Sequence, residues 1–254
     1  MQLLAKEFSR IHEIAVYETS QLYGQLGKYR FLQFSDHAVQ GAMDMNDPKR
    51  IVLEYPRAII HCMEHNNPAF EHVFVIGHGI GTISGHYPQK RFKVAEIDET
   101  VAELSRAFFQ YGKDDIVIGD GRLILQDEQP GTLDYIIVDA FTRKGTPTHL
   151  TSLQFFDITR QKLNPRGAII LNLTGKIKND KHINAIYTTL KESYACTRAF
   201  SLPGEAASDI RNIIIIGSSR TTDFQPRQMA EFIEIELEPG YVITDQTPYP
   251  PARR

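Results

Sequence analysis

Short apolar runs alternate with longer amphipathic stretches from residue 72 onward. Runs of four to eight apolar residues bounded by turn signals are typical of strands, and stretches of ten or more with helical spacing are typical of helices. The pattern predicts strands at 72–77, 92–97, 115–118, 134–139, 167–173, 196–201 and 211–217. It predicts helices at 80–87, 99–111, 151–163 and 180–193.

The first part of the chain has a different pattern. Residues 14–45 are aromatic and rich in turn residues, and Tyr29–Phe34 alternates between apolar and polar positions. This predicts a small antiparallel β unit. A helix is expected from 50–64, after Asp47-Pro48. We therefore expect a small β domain at 1–50, an α/β domain at 51–222 and a proline-bearing extension at 223–254.

The order of the later elements indicates the fold class. The segments at 134–139 and 168–172 are continuously apolar, as in central strands covered on both faces. Five parallel strands are followed by a helix and a late hairpin. The sequence thus predicts an α/β protein with a doubly wound, mostly parallel, seven-stranded Rossmann-like sheet of the methyltransferase type.

Composition narrows the class of partner. The chain has 254 residues, 42% of them hydrophobic, and a formal net charge of −3. We expect neither a nucleic acid nor a membrane as partner, because no long basic run or membrane-length apolar segment is present. The cysteines, Cys62 and Cys196, have no metal-ligand spacing, and we expect no metal site. These features favour a cytoplasmic enzyme.

The richest motif is the segment His72–Thr82, an apolar run that ends in Gly77, Gly79 and Gly81. Glycines after a strand let the backbone turn tightly beneath a ligand, and the acid Glu96 ends the next strand, where a carboxylate binds ribose hydroxyls. Thr82 occupies the third glycine position of a dinucleotide motif, which favours an S-adenosylmethionine-type ligand over NAD. The alternative for Glu96 is an exposed acid at the strand end.

Several segments together resemble the spermidine synthase family over roughly residues 17–217. They match in order and include the glycine loop and the acid that follows the second strand. The segments are Tyr23-Gly24, 36–40, Tyr55-Pro56-Arg57, 77–81, 96–98, Asp120-Gly121, 139–142, 148–156 and 164–167.

The resemblance implies a sulfonium donor, S-adenosylmethionine or its decarboxylated form, and an amine acceptor. It implies that Asp120 and Gly121 face the adenine and that Gln40 lines the site. Asp139 would remove or orient the proton of the attacking amine. Alternatives are a turn at 120–121, a capping or loop role for Asp139, and an exposed loop position for Gln40.

Departures from the family pattern concern the substrates. Ile80 stands where aminopropyltransferases have an acid that faces the amino end of the decarboxylated donor. Putrescine N-methyltransferases, which this chain resembles here, also have an isoleucine at this position. Thr142 replaces the second acid of the diamine site, and Arg57 replaces a glutamate that would meet the diamine. Tyr55 is either a substrate contact or a helix-packing aromatic residue.

Three hypotheses follow from these residues. The first is transfer of a methyl or other alkyl group from an S-adenosylmethionine-type donor to a small amine or amino acid. The second is a polyamine aminopropyltransferase, with charge supplied from Asp98 or Glu54. The third is a non-catalytic nucleoside-binding or partner-binding protein. The resemblance also implies a homodimer.

Overall fold

The computed structural model describes residues 1–11, 13–35, 39–142, 145–204, 206 and 209–247. Asp36 to Ala38, within the segment that resembles a family motif, lie outside the described residues, as do residues 248–254 of the predicted extension. Within the described residues, strands and helices alternate from β5 to β10.

The strands are β1 (Gln2–Phe8), β2 (Glu13–Leu22), β3 (Gln25–Phe34), β4 (Val39–Asp44), β5 (His72–Ile76), β6 (Arg91–Glu96), β7 (Ile116–Ile118), β8 (Leu133–Val138), β9 (Leu163–Gly175), β10 (Cys196–Ser201), β11 (Arg211–Ser218) and β12 (Ile233–Ile235). The α-helices are α1 (Glu54–Asn66), α2 (Thr82–His86), α3 (Glu99–Phe108), α4 (Gly121–Gln126), α5 (Leu153–Lys162) and α6 (Lys181–Ser193).

The large sheet confirms the predicted fold class. Its strand order is β12-β10-β11-β9-β8-β5-β6-β7. Strands β7, β6, β5, β8 and β9 are parallel, and β11 runs antiparallel to β9. Core strand β8 is buried because Ile136, Ile137 and Val138 face helical layers on both sides.

The sheet has one strand more than the predicted seven. The short β12 pairs antiparallel with β10 through residues 199–201, and it comes from the segment predicted as an extension. Its three residues are too few to show alternation, so the sequence gives little sign of it. Helix α4 was also missed; six residues at 121–126 form it, where the sequence left a turn open as an alternative.

The first four strands form a separate antiparallel sheet, as predicted, although it begins earlier, at Gln2. It packs against the α/β part through a buried apolar cluster. That cluster joins Ile14, Val16 and Leu32 of the small sheet to Ile80, Val101, Leu104 and Phe109. Arg30 Nη1 also donates to the Phe108 carbonyl at 2.8 Å. The three-part domain division itself stays a prediction.

The loops at the carboxyl ends of the parallel strands leave a cleft between them. Ligands bind outside the carboxyl ends of strands in open α/β sheets, at the point where the strand order reverses. Here that point lies between β5 and β8, which are neighbours in the sheet. Among the described residues, no helix is long and apolar enough to cross a membrane.

Candidate active site

A cavity of about 830 Å³ opens at the carboxyl ends of the central strands. Loops after β5, β6, β7 and β8 form one side, and residues of β9, β11 and the small sheet form the other. It brings together nine of the predicted site residues: Gln40, Tyr55, Gly77, Gly79, Glu96, Asp120, Gly121, Asp139 and Thr142. Residues distant in sequence therefore share one solvent-accessible space.

The glycine loop requires glycine for both conformation and space. Gly77 has a φ of 97°, and a Cβ there would lie 2.0 Å from the backbone oxygen of Asp139. The close approach is fixed by hydrogen bonds on each side, from Gly77 N to Ala95 O at 2.9 Å and from Asp139 N to Ile76 O at 2.8 Å. The loop can therefore lie directly against the end of β8 only if residue 77 lacks a side chain.

Glu96 is buried, with 7% of its surface exposed, and is not an exposed acid at the strand end. Its two carboxylate oxygens accept from His78 N at 2.8 Å and from Asp98 N at 2.9 Å. Burial raises the pKa of Glu96, and these backbone N–H groups act against that rise. Each oxygen keeps a further lone pair, so the residue can still accept hydrogen bonds from a diol.

Asp120 has a structural role as well as a place on the cavity wall. As the N-cap of α4, its Oδ1 accepts from Arg122 N at 2.8 Å and Leu123 N at 3.2 Å. Its Oδ2 lies 3.3 Å from His149 Nε2. Capping uses one oxygen, and the other faces the cavity side with His149. The sequence did not reveal this pairing, since 29 residues separate the two.

Asp139 directly follows β8 and lies on the cavity wall. Tyr55 and Asn172 both hydrogen-bond to its carboxylate, Asn172 Nδ2 donating to Oδ1 at 2.8 Å. Burial raises the pKa of Asp139 to about 6, and the two hydrogen bonds act in the opposite direction. It caps no helix among the described residues. An acid with this pKa is ionised at neutral pH and can still accept a proton.

Two asparagines that sequence reasoning missed complete the surroundings of Asp139. Asn172 on β9 is 1% exposed, and its Oδ1 accepts from Asn212 Nδ2 on β11 at 3.0 Å. Both residues line the cavity. The available signal was Asn172 itself, a polar residue inside the apolar run 168–173, because buried polar side chains are kept where they have partners.

A second carboxylate, Glu54, lies on the cavity wall beside Tyr23 and Tyr55. The charge of Glu54 and burial together raise the pKa of Tyr23, and Tyr55 interacts with both Tyr23 and Asp139. Glu54 also contacts Arg57 Nη2 at 3.4 Å, one turn along α1. This wall is therefore acidic and aromatic from Glu54 to Asp139.

Three of the predicted site residues, Ile80, Gly81 and Arg57, do not line this cavity. Ile80 and Gly81 line a small adjoining cavity, and Ile80 belongs to the apolar cluster beneath the small sheet. Arg57 is not among the lining residues; its Nε donates to Leu53 O at 3.3 Å and its Nη2 to Glu54 Oε1 at 3.4 Å, and both partners line the cavity. Thr142 reaches the cavity, but its hydroxyl donates to Gly145 O at 2.8 Å.

Among the described residues, no group of three or more His, Cys, Asp or Glu side chains could hold a metal ion. His78, in the glycine loop, contacts Ser105 Oγ through Nε2 at 2.7 Å. Burial lowers the pKa of His78 to about 4, so the ring is neutral at pH 7. The site therefore consists of acids, amides, phenols and backbone groups.

The fold and this cavity define an enzyme class: transferases built on the class I methyltransferase fold, here with an added antiparallel β sheet. The Spermine/spermidine synthase domain model matches residues 52–219, about two thirds of the chain. The chain belongs to the spermine/spermidine synthase family, which confirms the resemblance inferred from its motifs.

Curated relatives fall into two groups by activity. A polyamine aminopropyltransferase of Chromobacterium violaceum is 30% identical over 154 residues, 58% of this chain and 58% of that protein. One of Vibrio vulnificus is 24% identical over 263 residues, 96% of this chain and 86% of that protein. A putrescine N-methyltransferase of Nicotiana tabacum is 31% identical over 126 residues, 45% of this chain and 34% of that protein.

The fold is shared with a solved structure of a probable spermidine synthase from Corynebacterium glutamicum. The TM-score is 0.79 at 19% sequence identity, over 98% of this chain and all of that one. The likeness extends over the small sheet as well as the large one, since nearly the whole chain is matched.

Proposed function

We propose that this chain transfers an aminopropyl group from decarboxylated S-adenosylmethionine to a diamine, with Asp139 as the residue that accepts the amine's proton. The observation that carries the proposal is the position of Asp139. It shares one cavity with Glu96 and Asp120, and its hydrogen bond with Tyr55 joins it to the acidic wall that contains Glu54. The aminopropyltransferase relatives support the same choice.

The donor half suits a sulfonium nucleoside. Glu96 would accept hydrogen bonds from the ribose hydroxyls, and Asp120 would accept one from the adenine amino group, while the glycine loop passes beneath. The sulfonium carbon would then lie toward Asp139. This arrangement aligns two reactants without covalent chemistry by the protein, which is what an in-line displacement requires.

The reaction balances as follows. A neutral amine nitrogen attacks the carbon next to the sulfonium, the new N–C bond forms, and the C–S bond breaks with its electron pair going to sulfur. Methylthioadenosine leaves, and the extra proton on nitrogen passes to Asp139. Tyr55 and Asn172 hold the carboxylate by hydrogen bonds, so its position is fixed before the amine arrives.

The acceptor half explains how a diamine could bind although Thr142 has replaced an acid. Glu54 supplies a carboxylate on the same wall as Asp139, and Tyr23 and Tyr55 lie between them. A second ammonium at Glu54 would leave the reacting nitrogen near Asp139. Arg57 does not line the cavity; it pairs with Glu54 Oε1 at 3.4 Å, which leaves the second oxygen of that carboxylate for the ammonium.

Methyl transfer from intact S-adenosylmethionine is a second candidate, favoured by one observation. Ile80 places no carboxylate in the glycine loop, so the loop does not repel the donor's own carboxylate. At about 4 Å such a repulsion costs about 4 kcal/mol at an effective dielectric of 20. In that case S-adenosylhomocysteine leaves in place of methylthioadenosine.

One product assay separates the candidates. The protein is incubated with putrescine and either donor, and the products are measured by mass spectrometry. Spermidine and methylthioadenosine from the decarboxylated donor support the proposal, N-methylputrescine from the intact donor supports the second candidate, and absence of both products contradicts both. The Glu54→Gln variant should lose more activity toward putrescine than toward a monoamine of equal length.

A homodimer and a cytoplasmic location remain proposals drawn from the family resemblance. Sedimentation velocity of the purified protein tests the first of these. A species of twice the mass expected for 254 residues supports it, and a monomer at micromolar concentration contradicts it.

A further inference from the structure

Three polar side chains form a continuous hydrogen-bonded chain that ends at Asp139. Asn212 Nδ2 donates to Asn172 Oδ1 at 3.0 Å, and Asn172 Nδ2 donates to Asp139 Oδ1 at 2.8 Å. The residues come from β11, β9 and the end of β8, which lie side by side in the sheet. Asn172, the middle member, is 1% exposed.

The chemistry of these groups fixes the direction of the chain. An ionised carboxylate only accepts hydrogen bonds, so Asn172 must turn its NH₂ group toward Asp139. Its carbonyl oxygen then faces Asn212, which must in turn present an NH₂ group. If the Asn172 amide rotated by half a turn, its oxygen would face the carboxylate, and two acceptors would meet in a buried site.

We propose that Asn212 is a positioning residue for the transfer reaction, which fixes the Asn172 amide so that its NH₂ group holds the Asp139 carboxylate toward the acceptor amine. This inference rests on the proposed function, because it assumes that Asp139 accepts the amine's proton. Asn212 lines the cavity from the β11 side, but its effect on Asp139 runs through Asn172.

The hydrogen-bonded chain affects the ionisation of Asp139. A hydrogen bond donated to the charged form of an acid stabilises that form, and the bond from Asn172 opposes the rise that burial causes in the pKa of Asp139. The residue must be ionised to accept a proton. Loss of Asn212 therefore raises the pKa of Asp139 and reduces the active fraction at low pH.

The test uses Asn212→Leu and Asn212→Asp in the full chain. The pH profile of kcat/KM should keep its shape while its acidic limb moves upward by about half a pH unit to one unit, the effect of losing the neutral hydrogen bond from Asn212 to Asn172. Asn212→Asp has the same size and should move it further, since a carboxylate attracts the Asn172 NH₂ group away from Asp139.

The chain offers a matched control at the opposite end of the same strands. Asn164 Nδ2 donates to Asp134 Oδ1 at 2.8 Å, an asparagine–aspartate bond of the same length outside the cavity lining. Asn164→Leu should lower the melting temperature without moving the acidic limb. A purely structural role for Asn212 would give the same result as this control.

A carbon-13 NMR titration of the aspartate carboxyl groups makes the inference independent of turnover. The Asp139 signal is assigned from its absence in Asp139→Asn, and its pKa should rise in both Asn212 variants. If the protein proves inactive but this shift appears, the proposed function fails and the hydrogen-bonded chain stands. An unchanged Asp139 titration in both variants overturns the inference.

Discussion

Asp139 joins the hydrogen-bonding network of the cavity to the proposed chemistry. Its carboxylate accepts hydrogen bonds from Tyr55 and Asn172, and burial raises its pKa to about 6. Such a group is ionised at pH 7 yet basic enough to take a proton from an alkylated amine. The following predictions separate its chemical role from its contribution to the fold.

Asp139→Asn should lower kcat/KM by about 10²- to 10⁴-fold, the usual contribution of a general base, while donor affinity stays within about threefold. Steady-state kinetics and calorimetric titration with the donor measure the two effects. Equal losses in donor binding and turnover would mean that Asp139 binds the donor and does not act on the acceptor.

The same substitution should stabilise the fold at high pH. Because burial raises the folded pKa of Asp139 to about 6, ionisation of this residue destabilises the folded state. The cost is fully present above pH 6 and disappears below the pKa of the unfolded acid, about 3.9. Thermal unfolding should show Asp139→Asn above wild type at pH 8, with the gap closing toward pH 4.

Glu96→Gln should weaken donor binding by about 10- to 100-fold, because hydrogen bonds to a charged acceptor are worth about 1.5–3 kcal/mol. The amide also removes an acceptor from one of the two backbone N–H groups that Glu96 binds. Calorimetry measures the affinity. Glu99→Gln, at the first residue of α3, is the control. This variant should bind the donor normally, since Glu99 does not line the cavity.

At the residue scale, the site residues that could be predicted from the sequence are the acids at the ends of strands. Glu96 and Asp139 could be found because an acid that directly follows an apolar strand lies at the ligand edge of the sheet. Asn212 could not, since its role depends on which strand lies next to β9, and Glu54 was named only as one of two candidate sources of charge. Arg57 was expected in the site but does not line the cavity; it pairs with Glu54 on α1.

At the scale of elements, the glycine loop is the connection on which the cavity depends. It passes from β5 to α2 and lies against the end of β8, with Gly77 in contact with the Asp139 backbone. The loop therefore positions the proposed donor side together with the end of β8. Its sequence motif was readable because the backbone conformation requires glycine.

Gly77→Ala should abolish donor binding and lower stability, because its φ of 97° strains any side chain and its Cβ would lie 2.0 Å from Asp139 O. Gly131→Ala is the matched control, with a φ of 68° and open space around the new Cβ. That variant should lose only about 1 kcal/mol from backbone strain and bind the donor as wild type does. Donor binding by Gly77→Ala would contradict the loop geometry.

From β5 onward, the elements that sequence patterns missed are the short ones. Helix α4 has six residues and β12 has three, too few for a periodic signal. The longer elements were predicted to within a few residues; β10 was predicted at its observed bounds, 196–201. Burial on both faces keeps the centres of β8 and β9 apolar, which is why these two strands were also clear.

For the whole molecule, the contact between the small sheet and the α/β part closes the cavity. Ile80 lies in that contact, and a Cβ on Gly41 of β4 would lie 2.6 Å from its side chain. The glycine loop is thus held from above by the small sheet. The pairing of these parts could not be predicted from either segment alone, because it depends on side chains about 40 residues apart.

Ile80→Asp should destabilise the fold by about 2–3 kcal/mol, because it places an acid within an apolar cluster. Ile80→Val, which keeps the site apolar, should cost about 0.5–1.5 kcal/mol. Urea unfolding measures both. If Ile80→Asp is as stable as wild type and binds the decarboxylated donor more tightly, residue 80 contacts the donor and does not serve mainly to hold the small sheet.

The most direct test of the central claim is calorimetric titration of the wild-type protein with decarboxylated and intact S-adenosylmethionine. We expect that the decarboxylated donor binds, that Glu96→Gln weakens this binding at least about tenfold, and that the intact donor binds less tightly. Tighter binding of the intact donor would make methyl transfer the leading function. Binding of neither donor would contradict the assignment of this cavity to a sulfonium nucleoside.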